Sequence, residues 1–322
     1  MNDAPTLLEL LADREWHSGN ELAHQLGVSR AAVSARAKKL TERGLSIHSV
    51  VGRGYRLAQT SELLDAGAIR DNLPATASPR IDDVRVFETV DSTNDVLDRL
   101  DDGAGRIAVA EAQTAGRGRT GRGWVSPFGC NLHMSLMARS HQPQAPVTAL
   151  APLIGVRIAA MLSDMQVNGV GLKWPNDLLI NGTKVGGILV DYRGEAASDA
   201  RLIIGVGINV AMAPAAAAAI DQSWTTLSQH LSEPPSRNTL AARVTGAVDD
   251  AIECFRLGQV EHLVDDWQVF DRLADTPVVS FGSNAPANGI ARGINTDGSL
   301  RIEANGRVSR VYSGDVSIRP VL

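Results

Sequence analysis

The chain has 322 residues, more than one hydrophobic core usually supports, and its 44% apolar and 21% charged composition excludes disordered and fibrous classes. Two cysteines, Cys130 and Cys254, show no pairing pattern, and no Cys or His cluster stands at metal-ligand spacing, so neither a disulfide framework nor a bound structural metal is expected. A net charge of -5 argues against a protein that coats nucleic acid, but between residues 29 and 56 lie Arg30, Arg36, Lys38, Lys39, Arg43, Arg53 and Arg56 against one acid, Glu42.

That basic segment reads as a winged helix-turn-helix. Leu7, Leu8 and Leu11 mark a first amphipathic helix, and Ser18 with Glu21 fits a capping box opening a second. Gly27 and Val28 turn the chain, and Ser29 caps a third helix that Gly44 stops. Val33, Ala37 and Leu40 face its core, which leaves Arg30, Ser34 and Lys38, with Lys39, for a DNA major groove. "LSIHSVVGRGYRL" is a hairpin whose tip offers Arg53 to backbone phosphate. The competing reading is a protein-interaction module with a solvated basic helix.

The chain then turns mixed and polar, a linker with one short helix around 63–73. "VDSTND" places Asp91, Ser92 and Thr93 at a helix start. The run "TAGRGRTGRGW", 114–124, holds four glycines, three arginines and a tryptophan between two good strands. Gly116 to Gly121 spells GxGxxG, but no helix starts there, and Arg122 and Gly123 stand where a Walker loop needs Lys and Ser or Thr. It is therefore a strand-to-strand loop whose glycines admit a ligand to the backbone. Arg117, Arg119 and Arg122 present guanidinium forks to a strongly anionic partner. So glycine-rich a loop, like the alanine-rich "MAPAAAAAI" stretch before Trp224, is expected to have few anchoring side chains.

Further along, "KWPNDLLI" gathers Lys173, Asn176 and Asp177 round a proline turn, and a hairpin through Asn181-Gly182 presents Lys184 beside Gly186 and Gly187. "LIIGVGINV" is a buried strand relieved by Gly205 and Gly207 and ending at Asn209. Two amphipathic helices follow. From Thr276 come short strands broken at Asn288-Gly289, Asp297-Gly298 and Asn305-Gly306, a spacing that predicts a small SH3-like barrel. The fold class is thus α+β: a winged helix-turn-helix at 1–60, a linker at 61–80, a mixed α/β domain at 81–271 and the barrel at 272–322. The amino terminus lacks a basic flank before an apolar core, and the alanine run, read as the blandest stretch, is too short to span a bilayer. A cytoplasmic protein without membrane contact is expected.

Together "STN", "QTAGRGRTGRGW", "KWPNDLLI", "KVGGILVD" and "GVGINV" resemble the biotin protein ligase family, and the basic module resembles its bifunctional form, which also represses the biotin operon. The resemblance covers nearly the whole chain. It implies ATP-dependent formation of biotinyl-5'-AMP, with Mg2+ accompanying ATP, and transfer of biotin to a lysine of the biotin carboxyl carrier protein of acetyl-CoA carboxylase. It also implies binding to operator DNA as a homodimer when the adenylate is bound. Ser92, Thr93, Gln113, Gly116, Arg117, Lys184 and Gly187 would hold biotin; Arg119, Arg122, Asn209 and Trp224 would face the nucleotide. Arg119 and Lys184 would neutralise charge as carboxylate meets phosphate, and Asp177 would orient the incoming amine or accept its proton, its competing reading being a turn residue after Pro175. Thr120 and Gly123 depart from the best-known repressor, which is basic at both places. Alternatives are a biotin sensor without ligase activity, or a ligase whose winged module binds protein. The lipoate ligase relatives share the implied fold, but the arginine-glycine loop favours biotin.

Overall fold

The computed structural model describes the chain except residues 1–5, 12, 14, 43–44, 46, 58–62, 101–103, 141–142, 195–199, 213–217, 219, 282–287, 314–316 and 321–322. The predicted stop at Gly44 and most of the alanine run lie outside the described residues.

Helices α1 (Leu7–Leu10), α2 (Gly19–Gln25) and α3 (Arg30–Glu42) bury Leu7, Leu8, Leu11, Leu22, Val33, Ala37 and Leu40 in one cluster. The Ser18 hydroxyl accepts the Glu21 N–H at 3.1 Å, and the Ser29 hydroxyl that of Ala32 at 3.2 Å, so each satisfies a donor that the helix leaves open. The reciprocal half of the predicted capping box is not made: the Glu21 carboxylate lies 4.0 Å from the His17 ring instead. Strands β1 (Ile47–Val50) and β2 (Gly54–Leu57) form the antiparallel wing. Gly54, at φ 98, lies so close to the His17 carbonyl that a Cβ would sit 1.9 Å from its oxygen, and only glycine fits.

The linker's α4 (Ala66–Asp71) leads to a seven-stranded sheet in the order β3-β4-β5-β9-β8-β7-β6. Its strands are β3 (Asp83–Val90), β4 (Arg106–Gln113), β5 (Leu132–Ser140), β6 (Val170–Lys173), β7 (Asp177–Ile180), β8 (Thr183–Arg193) and β9 (Ala200–Ile208). Only β3 and β4 run parallel. Strand alternation divides the apolar residues between two faces. Ile107, Val109, Leu136, Leu202 and Ile204 pack with α6 (Leu150–Asp164) and α7 (Arg237–Leu257), whereas Ala108, Met137 and Ile203 pack under α5 (Thr93–Leu100). Beyond α5 that second face lies open as a cleft.

Helix α6 is a longer apolar stretch than the alanine run. Residues Val147–Asp164 are long and apolar enough to cross a membrane by length and composition, yet α6 is largely buried against α7 and α8 (Leu263–Phe270).

The carboxyl-terminal domain is an antiparallel sheet of β10 (Pro277–Phe281), β11 (Asn288–Ile294), β12 (Leu300–Ala304), β13 (Arg307–Val311) and β14 (Ser317–Pro320), in the order β13-β12-β11-β10-β14. Among the described residues no ladder joins β13 to β14. Asp297-Gly298 and Asn305-Gly306 make turns, with Gly298 and Gly306 at positive φ. The turn expected at Asn288-Gly289 is instead the start of β11, where Gly289 pairs with Val278. A Cβ on Gly289 would lie 2.4 Å from Ile302, so this glycine serves close packing rather than a turn.

Candidate functional site

The cleft holds about 990 Å³ and is lined by each sequence-identified ligand residue: Ser92, Thr93, Gln113, Gly116, Arg117, Arg119, Arg122, Asp177, Lys184, Gly187, Asn209 and Trp224. One end is polar. There α5 begins, and Gln113 Oε1 accepts the Thr93 N–H at 2.9 Å while its Nε2 donates to Ser126 Oγ at 2.9 Å. The amide is thereby fixed at the end of β4. Asp91, just ahead of α5, pairs with Arg99 and accepts the Ser92 N–H, and these contacts hold its carboxyl down at about 2.

The arginine-glycine loop crosses above. Gly116 lies against the returning chain: a Cβ there would fall 2.7 Å from the Trp124 carbonyl oxygen. Its own carbonyl accepts the Trp124 N–H at 2.8 Å, and the Gly118 N–H donates to Arg122 O at 2.7 Å. The loop is better anchored than its composition suggested. Arg117 pairs with Asp95 on α5 and, at 3.4 Å, with Asp191 on β8, and Arg119 donates to the Ser313 carbonyl of the carboxyl-terminal domain. The anchors were invisible in sequence because all three partners lie far along the chain. Arg122 is exposed at the mouth. Thr120, a β-branched residue, adopts φ 54 in the left-handed region, a position usually left to glycine or asparagine.

The β7–β8 hairpin supplies a further cation. A register shift between Leu178 and Leu179 sets Gly186 opposite Leu178 and Lys184 opposite Leu179. Lys184 Nζ lies 2.7 Å from Asp177 Oδ1 and 5.6 Å from the centre of the Trp124 ring. Both charged side chains are under a fifth exposed, so their attraction is only partly screened. The Lys184 backbone bridges to Trp224, and Asn209 Nδ2 donates to Thr225 O at 3.1 Å, which ties the nucleotide-side candidates to the same hairpin. Among the described residues no three His, Cys, Asp or Glu side chains gather as a metal site.

Several residues in and behind the wall of the cleft escaped the sequence reading. Ser135 Oγ lies 2.6 Å from Thr93 Oγ1 and 2.5 Å from Asn94 Oδ1, and Asn94 Nδ2 donates to Asp191 Oδ2 at 2.9 Å. His133, 1% exposed, also lines the cleft, and burial, with Arg237 nearby, pushes its imidazole down to about 3. A signal existed: within "NLHMSL", His133 and Ser135 alternate with Leu132, Met134 and Leu136, so one face of a buried strand is polar.

On the winged module Arg30, Ser34, Lys38 and Lys39 are exposed along α3. Lys38 is 3.8 Å from Glu42. Arg53 does not extend freely from the wing: with Arg56 it stacks on Trp16, each guanidinium 5.0 Å from the ring centre.

Residues 86–209, from β3 to the end of β9, match the Biotin/lipoate A/B protein ligase family. Residues 5–56 match an HTH domain, and 279–319 the Biotin protein ligase C terminal domain. The Bifunctional ligase/repressor BirA of Salmonella typhimurium is 38% identical over 316 residues, 98% of this chain and 97% of that protein. The chain belongs to the biotin protein ligase family. The protein of the same name from Escherichia coli is 36% identical, covering 97% of this chain and 96% of its own length. The Biotin--[acetyl-CoA-carboxylase] ligase of Mycobacterium tuberculosis is 33% identical over 79% of this chain. Biotin protein ligase from Aquifex aeolicus, solved in complex with biotin and ATP, superposes with a TM-score of 0.65 at 24% identity, covering 75% of this chain and 100% of that one, a likeness of fold. Within the biotin protein ligase fold, the arginine-glycine loop and the Lys184 hairpin both fall inside the matched segment.

Proposed function

We propose that the chain is an ATP-dependent biotin protein ligase that is also the repressor of a biotin operon, with biotinyl-5'-AMP as corepressor. One observation carries the ligase reading: Arg119, Arg122 and Lys184 converge on a cleft whose far end is a fixed polar socket, as a reaction between two anions requires. Ser92, Thr93, Gln113, Gly116, Arg117 and Gly187 take the biotin head, while Asn209 and Trp224 face the nucleotide.

In the first step a biotin carboxylate oxygen attacks the α-phosphorus of magnesium-bound ATP, and the bond to the bridging oxygen breaks to release pyrophosphate. Fixed guanidinium and ammonium charges offset the repulsion between carboxylate and phosphate. Lys184 is held for this by Asp177 and by the face of Trp124. In the second step a carrier lysine amine attacks the acyl carbon, the C–O bond to AMP breaks, and the surplus amine proton passes to Asp177. The carrier is the biotin carboxyl carrier protein of acetyl-CoA carboxylase.

The domains divide as 1–60, 61–80, 81–271 and 272–322. The last is an SH3-like barrel, a reading supported by five short antiparallel strands around Val278, Ala291, Leu300, Ile302 and Ile318. The setting is cytoplasmic. The adenylate favours a homodimer by binding it more tightly than the monomer, which sets two α3 helices roughly 34 Å apart for a palindromic operator.

The test incubates the protein with biotin, ATP, magnesium and a carrier domain, and follows pyrophosphate release, carrier mass, and sedimentation and operator binding with and without adenylate. Biotin-dependent pyrophosphate release and a biotinylated carrier are expected. A carrier that gains no mass overturns the ligase reading; self-association and operator binding unchanged by adenylate overturn the repressor reading.

A further inference from the structure

His133 is buried in the wall of the cleft, yet neither Nδ1 nor Nε2 has a hydrogen-bond partner, and the same holds for Nε1 of Trp124. Buried polar atoms of this kind cost on the order of 1–3 kcal/mol each when unsatisfied, so their presence in a native core needs a reason.

Both residues border Gly207. Strand register pairs His133 directly with Gly207 on β9, which puts the imidazole beside the bare face of that glycine. A Cβ on Gly207 would lie 2.7 Å from the Trp124 ring and 2.8 Å from its Nε1, so the indole occupies the space a side chain would take. Two residues along the same face of β5 comes Ser135, about 7 Å further by strand geometry. The Ser135 hydroxyl is already engaged by Thr93 and Asn94, whereas His133 remains uncommitted. Burial keeps the imidazole neutral, so one ring nitrogen donates and the other accepts, and the choice of tautomer suits either kind of partner.

Resting on the proposed function, the chemistry of the ligand narrows the partner. Biotin carries polar atoms at its carboxylate, which Lys184 attracts, and in its cyclic urea, which offers two N–H donors and one carbonyl acceptor. We propose that His133 is a specificity-determining residue that contacts the substrate, hydrogen-bonding the cyclic urea of biotin in the wall formed by β5, Gly207 and Trp124. A site that hydrogen-bonds a polar head rejects an apolar one, because the buried imidazole is then left unpaired.

The experiment titrates biotin into wild type, His133→Phe and His133→Gln by calorimetry, and follows the ring 15N resonances of His133 in wild type, assigned by their loss in His133→Gln. The expected result is about a tenfold weaker affinity in His133→Phe, the loss of one buried hydrogen bond. Affinity within about threefold of wild type is expected in His133→Gln, which keeps a donor and an acceptor, with a shift of one ring nitrogen on saturation. Wild-type affinity in His133→Phe, or ring resonances unmoved by saturating biotin, overturns the assignment. If His133→Phe does not fold, the wild-type resonances and His133→Gln decide. Wild-type protein that binds no biotin overturns the proposed function itself.

Discussion

Glu111 and Arg237 form an ion pair of 2.7 Å with both side chains only 5% exposed. The second carboxylate oxygen of Glu111 accepts the Leu64 N–H at 2.6 Å, and neighbouring Asn238 accepts the Asp65 N–H and donates to Leu63 O. The linker between the winged module and the ligase domain is thus strapped to the start of α7, and its position depends on a buried charge pair.

Breaking that pair strands Glu111 in the core. Arg237→Ala is expected to lower stability by about 3–5 kcal/mol, the usual effect of removing one partner from a buried ion pair. Urea unfolding followed by circular dichroism measures it, and a loss below about 1 kcal/mol would show that water reaches Glu111.

Lys184→Ala removes the cation that Asp177 and Trp124 hold at the cleft. Adenylate formation in a single turnover should slow by about 10²–10³-fold with folding retained, a magnitude typical of losing one group that stabilises transition-state charge. Pyrophosphate release at the wild-type rate would remove Lys184 from the chemistry.

Lys38 and Lys39 are exposed on α3, and the weak contact of Lys38 with Glu42 leaves both available to phosphate. Replacing both by Ala should weaken operator binding and make the salt dependence shallower by about one unit per lost contact, with ligation unchanged. Fluorescence anisotropy across a salt series provides the slope; an identical slope would mean that these lysines only meet solvent.

His133 also makes the folded protein sensitive to acid. Its imidazole titrates at about 3 when folded, against 6.5 as the ordinary value, so between those limits the unfolded chain binds a proton that the folded one refuses. Its contribution to stability therefore falls as pH drops below 6.5, by up to about 1.4 kcal/mol per unit, or about 2 kcal/mol by pH 5. The difference between wild type and His133→Gln in urea midpoint at pH 7 and at pH 5 reads this term directly. Parallel changes in the two proteins would assign the acid sensitivity elsewhere.

The wing, α3, the Lys184 hairpin and the glycine-marked β9 were legible in the sequence because each rests on local rules: capping hydroxyls, 3.6-residue periodicity, an Asn-Gly turn, bare backbone in a strand. Residues 147–164 passed unread as a helix, since α6 is apolar nearly all round and shows no amphipathic stripe. The partners of Arg117 and Arg119 were unreadable for a different reason. Asp95, Asp191 and Ser313 reach them through the topology of two domains, which no local window contains. The arginines and Lys184 were thus named from sequence, but not the partners of Arg117 and Arg119.

Phe128 lies in the ligase domain's strand-to-strand segment, four positions after Trp124, yet its ring is buried among Leu7, Leu22, Val33 and Leu57 of the winged module. Leu45 closes over the adjacent Gly129, where a Cβ would lie 3.1 Å from its methyl. The module therefore borrows a core side chain from the other half of the chain, one whose burial is worth about 1.5–3 kcal/mol. Its heredity is not modular. A recombination that grafts or discards residues 1–60 exposes an aromatic ring on the ligase or leaves a gap in the transplanted module, so the descendants of such an event must also change position 128.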